Sequence, residues 1–176
     1  MDSKTLLHKI VTQANLDCII GAELEFFLLD TIKNQTDLFE AIENDIAQHQ
    51  INAGHIVKET GSSQYEIDLA HHNDPEKLAT DISSTKEIIK KQATLFSSRV
   101  SFAAKPLKEQ EVGSALHIHI SLQSFNKQDN QDILYAIGGI LHFMAESIYL
   151  IARNEADYDR FTAKLDLDIE TRRYKC

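Results

Sequence analysis

The chain has 176 residues, the size of one ordinary domain, so we expect a single domain over residues 1–176 with no separate N-terminal domain. It carries 18 Lys and Arg against 27 Asp and Glu, for a formal net charge of −9. Nucleic-acid binding needs a clustered basic surface, so this balance argues against a nucleic-acid partner. The composition is 43% hydrophobic and 26% charged, which excludes a disordered chain and predicts a soluble globular fold.

The two cysteines, Cys18 and Cys176, lie far apart in the sequence, so neither a disulfide framework nor a CxxC metal site is predicted. A reducing, cytoplasmic location is therefore expected. Residues 1–16 lack the continuous apolar stretch of a signal peptide. The most apolar segment, residues 133–152, is interrupted by an imidazole and a carboxylate. This favours a core helix over a membrane span, and no membrane partner is expected.

The spacing of apolar residues predicts the helices and strands in order along the chain. Residues 3–15 repeat at helical intervals, whereas residues 18–29 alternate apolar and polar positions as a half-buried strand does. After a polar loop, Thr36 is expected to cap a second helix. The stripe that this helix is expected to bury consists of Leu38, Phe39, Ile42 and Ile46.

Two short strands are predicted next, at residues 55–59 and 63–69. The sequence Asn73-Asp74-Pro75 then marks the start of a long helix, because Asp accepts hydrogen bonds from unpaired amides and Pro suits the first helical position. The apolar residues expected on its buried face are Leu78, Ile82, Ile89 and Phe96, where the helix should end.

Strands are predicted at residues 99–104 and 115–122, followed by a last long helix at 132–152. Helices and strands are interspersed without strict alternation, and the strands keep one polar face. This pattern predicts an α+β fold, with an antiparallel or mixed sheet covered on one face by helices.

Three predicted strands place polar side chains at every second position. If their apolar faces pack on helices, the carboxylates and imidazoles share the opposite face of the sheet. Crowded carboxylates repel one another and need a cation, and a site rich in carboxylates with an imidazole suits Mg²⁺ or Mn²⁺ better than Zn²⁺. The polar residues are Glu23, Glu25, Gln64, Glu66, Asp68, His117, His119 and Ser121.

The same pattern has a simpler interpretation as a solvated surface. A Glu-x-Glu or His-x-His pair is common on the polar face of an antiparallel sheet, and neither pair is specific alone. Asp68 equally suits a cap at the sheet edge. The pair His71-His72 lies beside a turn and fits an exposed position, although His is the commonest metal ligand.

The order and spacing of four short segments are more informative than their composition. They are residues 21–27 (GAELEFF), residues 59–67 (ETGSSQYEI), Lys105-Pro106 and residues 113–122 (GSALHIHISL). Together they resemble the catalytic domain of the glutamine synthetase family, over about residues 20–161. The Glu-x-Gly-x-x-Gln-x-Glu form of the second segment is more similar to the branch that glutamylates polyamines and related amines.

The resemblance implies up to two divalent ions, Mg²⁺ or Mn²⁺, held between ATP and glutamate. Glu25, Glu59 and Glu66 match the ligands of one ion, and Glu59 is also assigned a catalytic role by the resemblance. Glu23 and His117 match ligands of the other ion.

The resemblance also implies contacts to the substrates. His119 and Ser121 fall where the family contacts the nucleotide, and Gly113 lies on the segment that meets glutamate. Arg160 matches a catalytic arginine that binds the α-carboxylate of the substrate. The implied reaction forms γ-glutamyl phosphate from ATP and glutamate, and ammonia or a small amine then displaces the phosphate.

The chain also departs from the family pattern. Residues 162–176 match nothing in it, so the later arginines and one further Glu ligand have no counterpart. Val112 and Ala115 replace a polar residue and a glycine of the family. Because phosphoryl transfer depends on positioned positive charge, we expect an impaired enzyme or one that needs a partner.

Two hypotheses of different class follow. In the first, the chain is a glutamine synthetase-like ligase, or one piece of a split ligase completed by a complementary fragment. In the second, it is a catalytically inactive relative that acts as a metal-binding, ligand-binding or regulatory module. A bare sheet edge would also favour a homodimer.

Overall fold

The computed structural model describes residues 18–107, 112–122, 131–152, 154, 155, 157 and 158. The helix predicted at residues 3–15, Arg160 and residues 162–176 lie outside these ranges.

The described residues form a five-stranded antiparallel sheet that is built around its first strand. The strands are β1 (Cys18–Leu28), β2 (Val57–Lys58), β3 (Gln64–His72), β4 (Val100–Ser101) and β5 (Leu116–Leu122). On one side β1 pairs with β3, which in turn pairs with β2. On its other side β1 pairs with β4 at its C-terminal end and with β5 along the rest of its length. Each of these strand pairs therefore includes β1 or β3.

Within the described ranges, two helices pack against the sheet to form the buried core, and two more follow β5. The helices are α1 (Gln35–Gln48), α2 (Pro75–Leu95), α3 (Gln131–His142) and α4 (Met144–Ile151). The core joins α1 and α2 to the apolar face of β1 and β3, and its central side chains are Leu24, Phe26, Leu38, Ile42, Ile67, Leu78 and Ile89. The predicted α+β fold, with helices on one face of an antiparallel sheet, is confirmed.

The two core helices start differently. At α2 the Asp74 side chain accepts hydrogen bonds from the amides of Glu76 and Lys77, at 2.9 and 3.1 Å, and Pro75 is the first helical residue, as predicted. At α1 the predicted cap is wrong. Thr36 lies within the helix, because the first helical hydrogen bond already runs from the Leu38 amide to the carbonyl of residue 34.

Two strands are shorter than predicted. The strand expected at residues 55–59 has two paired residues, because the Ile56 amide donates to the Glu43 carboxylate at 2.8 Å and leaves the ladder. The strand expected at residues 99–104 is also two residues long, and the Ala103 amide donates to the Ser101 hydroxyl at 3.2 Å. Side-chain acceptors thus replace backbone partners at both places.

The prediction of one long core helix at residues 132–152 is wrong about both its continuity and its burial. It divides at Phe143 into α3 and α4, and α4 contains no buried residue. Large apolar side chains of both helices, such as Leu134 and Leu150, are exposed. The apolar side chains of β5 are exposed too, for example Ile118 by 48% and Ile120 by 57%. Apolar composition makes these residues suitable for burial, but burial also requires a neighbouring element.

The described helices are too short or too polar to cross a membrane singly. In the part of the chain that the structure describes, no single helix is both long and apolar enough to cross one. The pair Ile133–His142 and Met144–Ile151 reaches that length and composition only together, and it is bent by 75°.

Candidate metal centre

The register of β1 against its two neighbours brings the predicted polar residues to one face. Glu25 lies opposite Glu66 on β3, and Glu23 lies opposite His117 on β5. Directly paired residues of antiparallel strands point to the same face, and so do residues two apart on one strand. These four side chains therefore occupy the face opposite α1 and α2.

Glu23, Glu66 and His117 converge most closely. One ligand atom from each lies within 4.8 Å of the other two. Ligand atoms about 2.1 Å from a shared ion are at most about 4.2 Å apart, so this cluster needs little contraction to hold one. The resemblance implied that Glu66 binds one ion and that Glu23 and His117 bind another. In the structure one ligand atom from each of the three residues lies in the same cluster.

The electrostatics of this cluster favour a cation. Burial raises the pKa of Glu66, and the negative charges of Glu23, Asp68, Glu59 and Glu25 raise it further. Each of these effects disfavours the ionised carboxylate, and a bound cation would offset all of them. Two carboxylates with one imidazole also form a donor set that suits Mg²⁺ or Mn²⁺, so the residues fit such an ion.

Glu23 contacts both imidazoles of β5. Its two oxygens lie 2.9 Å from His117 Nδ1 and 2.7 Å from His119 Nε2. A carboxylate that binds one nitrogen of an imidazole fixes the orientation of the ring and leaves its second nitrogen available. Glu23 therefore orients both predicted histidines.

Glu25 is oriented by bonds to one of its oxygens. Its Oε2 accepts hydrogen bonds from Gln64 Nε2 and from the Ala115 amide, both at 2.8 Å. Its Oε1 lies 3.7 Å from His117 Nδ1. Gln64 Nε2 also donates to the Gly113 carbonyl at 3.0 Å. Gly113, which was predicted to lie on the segment that meets glutamate, is therefore linked through Gln64 to Glu25.

The remaining predicted site residues lie farther from this cluster or outside the described chain. The Glu59 carboxylate accepts from the amide and hydroxyl of Thr60, at 2.6 and 3.0 Å, and does not join the three converging residues. Ser121 lies near the far end of β5, opposite Ile19. Arg160 is outside the described ranges, so its predicted role stays a prediction.

A cavity of about 430 Å³ adjoins the cluster, and Glu23, Asp68, His71 and His119 are among its lining residues. The His71 ring covers Gly21, where an added Cβ would lie 2.8 Å from the ring. The ring centres of His71 and His119 are 6.4 Å apart. His71 is exposed, as predicted. The cavity adds it to the residues near the cluster, where the sequence left its role open.

A β-bulge explains why alternation did not reveal His71. Ala22 pairs with Leu69 and Ile20 pairs with His72, so β1 spans two residues where β3 spans three. The extra residue reverses the alternation of faces from that point on. His71 consequently lies on the polar face, whereas in a regular strand it would lie on the apolar face.

A sequence profile described as "Glutamine synthetase, catalytic domain" matches residues 32–167. The chain belongs to this family. The predicted resemblance is thus confirmed, but the expectation that residues 162–176 match nothing in the family is wrong for residues 162–167. The profile includes the β3 and β5 residues of the cluster, whereas β1 precedes the matched segment.

Two curated relatives agree with this membership. Gamma-glutamylputrescine synthetase PuuA from Escherichia coli K12 is 28% identical over 151 residues, which are 80% of this chain and 32% of the relative. Glutamine synthetase from Pyrococcus horikoshii is 29% identical over 133 residues, or 69% of this chain and 28% of the relative. The chain therefore spans about a third of the length of these relatives.

Solved structures share the fold of this glutamine synthetase-family chain. A cryo-EM structure of Plasmodium falciparum glutamine synthetase has a TM-score of 0.71 at 21% identity, over 89% of this chain and 42% of the other. A structure of GmaS without ligand has a TM-score of 0.78 at 18% identity, over 92% of this chain and 45% of the other.

Proposed function

We propose that this chain takes part in the ATP- and metal-dependent ligation of ammonia or a small amine to the side chain of glutamate, through γ-glutamyl phosphate. The convergence of Glu23, Glu66 and His117 on one face of the sheet carries the proposal. Membership of the glutamine synthetase family supports the reaction class. Relatives named for putrescine and for glutamine support an amine or ammonia as the acceptor.

In this proposal Glu23, Glu66 and His117 hold a divalent ion, and Glu25 Oε1 faces the same cluster. The ion would neutralise charge on the phosphates during phosphoryl transfer. Glu23 holds both imidazoles of β5 in place, so His117 reaches the ion while His119 faces the cavity. A second ion would use Glu59, whose Oε2 accepts hydrogen bonds from Thr60 in this structure.

The cavity beside His119 supports a nucleotide site, with Ser121 farther along the same strand. Gly113 is proposed to meet glutamate, since its carbonyl is tied through Gln64 to the carboxylate of Glu25. Arg160 is proposed to bind the α-carboxylate of glutamate.

A partner is also part of the proposal, because large apolar side chains of described strands and helices are exposed. The exposed apolar side chains of β5, α3 and α4 offer a surface that a second polypeptide could cover. That polypeptide is either a second copy of this chain or a complementary ligase fragment. Light scattering of the purified chain separates the two, because only the homodimer forms without an added fragment.

A second candidate function is an inactive metal-binding or regulatory module. It is favoured by the cation-suited cluster of Glu23, Glu66 and His117, which is complete within the described chain. In that case the metal would bind without turnover.

A phosphate-release assay distinguishes the two functions. The full chain is incubated with Mg²⁺ or Mn²⁺, ATP and glutamate, with ammonia or putrescine as the acceptor. The ligase proposal expects phosphate release that requires glutamate and acceptor together and disappears in Glu66→Gln. Glu87→Gln, on the exposed face of α2, is the matched control and should retain the activity. Metal binding without phosphate release would show that the chain alone binds metal without turnover, which excludes a ligase that acts without a partner.

A further inference from the structure

The side-chain amide of Gln64 connects three separate segments of the chain. Its Oε1 accepts from the Gly61 amide at 3.0 Å, and its Nε2 donates to Glu25 Oε2 at 2.8 Å and to the Gly113 carbonyl at 3.0 Å. Both N–H donors are therefore used, and the side chain is only 2% exposed. Gln64 joins the turn after β2, the middle of β1 and the segment before β5.

The Glu25 carboxylate depends on these bonds for its orientation. Glu25 is 7% exposed, and its Oε2 is held by Gln64 together with the Ala115 amide. The Ser114 hydroxyl donates to the Glu25 carbonyl at 3.0 Å, so the segment at 113–115 is fixed to β1 through both backbone and carboxylate. Because Oε2 is occupied, Oε1 is the oxygen presented to His117.

We propose that Gln64 is a positioning residue, which aims Glu25 at the metal cluster and ties the segment at 113–115 to that carboxylate. The proposal rests on the metal site proposed above and adds a residue that acts through Glu25 instead of touching the ion. Loss of the Gln64 amide would leave the Gly113 carbonyl without this donor and Glu25 Oε2 with one donor fewer. Outer hydrogen-bond partners of metal ligands typically change metal affinity by about 10–100-fold.

The chain contains a matched control for this interaction. Gln92 Nε2 donates to Asp45 Oδ2 at 2.7 Å, and Asp45 is 7% exposed, like Glu25. This pair joins α2 to α1 on the other side of the sheet from the metal cluster. It reproduces the chemistry of an amide bound to a buried carboxylate without any link to Glu23, Glu66 or His117.

The test compares Gln64→Leu with Gln92→Leu in the full chain. Mn²⁺ affinity is measured by calorimetry well below the melting temperature of each variant. We expect the dissociation constant to rise by about 10–100-fold in Gln64→Leu and to stay within about twofold of wild type in Gln92→Leu. In the metal-free chain, amide hydrogen exchange at Ala115 should accelerate in Gln64→Leu only.

A second variant covers the case in which Gln64→Leu does not fold. An added Cβ at residue 61 would lie 2.9 Å from Gln64 Oε1 and 2.9 Å from Val112 Cγ2. Gly61→Ala should therefore displace the Gln64 amide, weaken Mn²⁺ binding less than Gln64→Leu does, and also accelerate exchange at Ala115.

The outcomes separate the two proposals. If wild type does not bind Mn²⁺, the metal site fails, and exchange at Ala115 still decides whether Gln64 positions this segment. If wild type binds Mn²⁺ and the Gln64 and Gly61 variants bind it equally well, the positioning role is overturned. Equal weakening in Gln92→Leu would overturn it too, because a general loss of stability would then explain both.

Discussion

The two halves of this sheet share the same alternation of apolar and polar residues but differ in what covers them. On β1 and β3 the apolar side chains, such as Leu24, Phe26 and Ile67, are buried against α1 and α2. On β5 the equivalent positions, Ile118 and Ile120, are exposed. The candidate metal centre lies where the halves meet, since its glutamates come from the covered strands and its histidine from the exposed one. Alternation therefore predicts which face a side chain takes, and neighbouring elements decide whether that face is buried.

The largest expected difference between the halves is in core stability. Phe26 is fully buried, so Phe26→Ala should lower the free energy of unfolding by about 3–5 kcal/mol. Ile120→Ala should change it by no more than about 0.5 kcal/mol, as is typical of surface positions. Urea denaturation of the isolated chain measures both changes. A large loss in Ile120→Ala would show that β5 is covered in solution.

Metal binding should join the two halves, because the cluster takes ligands from both. At a Mn²⁺ concentration 100 times the dissociation constant, binding should add about 2.7 kcal/mol to the free energy of unfolding. Glu66→Gln should lose most of this gain, whereas Glu87→Gln on the surface of α2 should keep it. Thermal melting with and without Mn²⁺ gives the comparison. A full response in Glu66→Gln would remove Glu66 from the site.

A smaller effect distinguishes the starts of the two helices in the covered half. Asp74→Ala should lower the free energy of unfolding by about 1 kcal/mol, because its carboxylate accepts from two amides of α2. Thr36→Ala should have an effect below about 0.5 kcal/mol, since Thr36 lies within α1 and does not cap it. Chemical denaturation of both variants provides the test. Equal losses would mean that Thr36 also caps a helix.

The smallest effect concerns pH and has opposite signs at two carboxylates. Glu66 has a raised pKa, so in the metal-free chain its ionised form opposes folding above that pKa, and protonation relieves the cost as the pH falls. Glu66→Gln should therefore stabilise the metal-free chain at pH 7 by a few tenths to about 1 kcal/mol. The advantage should shrink as the pH falls through the raised pKa towards the ordinary glutamate value.

Asp45 provides the contrast. Hydrogen bonds from Gln92 and Lys91 lower its pKa, so its contribution to stability is present above the ordinary aspartate pKa. That contribution is lost as the pH falls through the lowered value. Asp45→Asn should accordingly destabilise the chain at pH 7 and have little effect in strong acid. Denaturation of wild type and both variants between pH 2 and pH 7 (about the span of these titrations) gives the change in unfolding free energy that each substitution causes. Plotted against pH, this change should have opposite slopes for the two variants.

Much of the site could be predicted from local patterns. The two-residue repeats of β1, β3 and β5 placed Glu23, Glu66 and His117 on polar faces, and the structure brings them together. The motif spacing also indicated the glutamine synthetase family, which the profile match confirms. Gln64 was recognised as part of a motif, but its bonds to Glu25 and Gly113 join residues 39 and 49 positions away. No local pattern reports contacts at such separations.

The sequence by itself determined the α+β class, the polar face of each strand and the start of α2, because these follow from side-chain period and from hydrogen bonds within a few residues. Only the tertiary structure decided which carboxylates meet, how the bulge in β3 turns His71 to the cavity, and that α3 and α4 stay exposed. These features depend on strand register and on what lies beside an element. Both are set by contacts between residues far apart in the sequence, which local sequence patterns do not reveal.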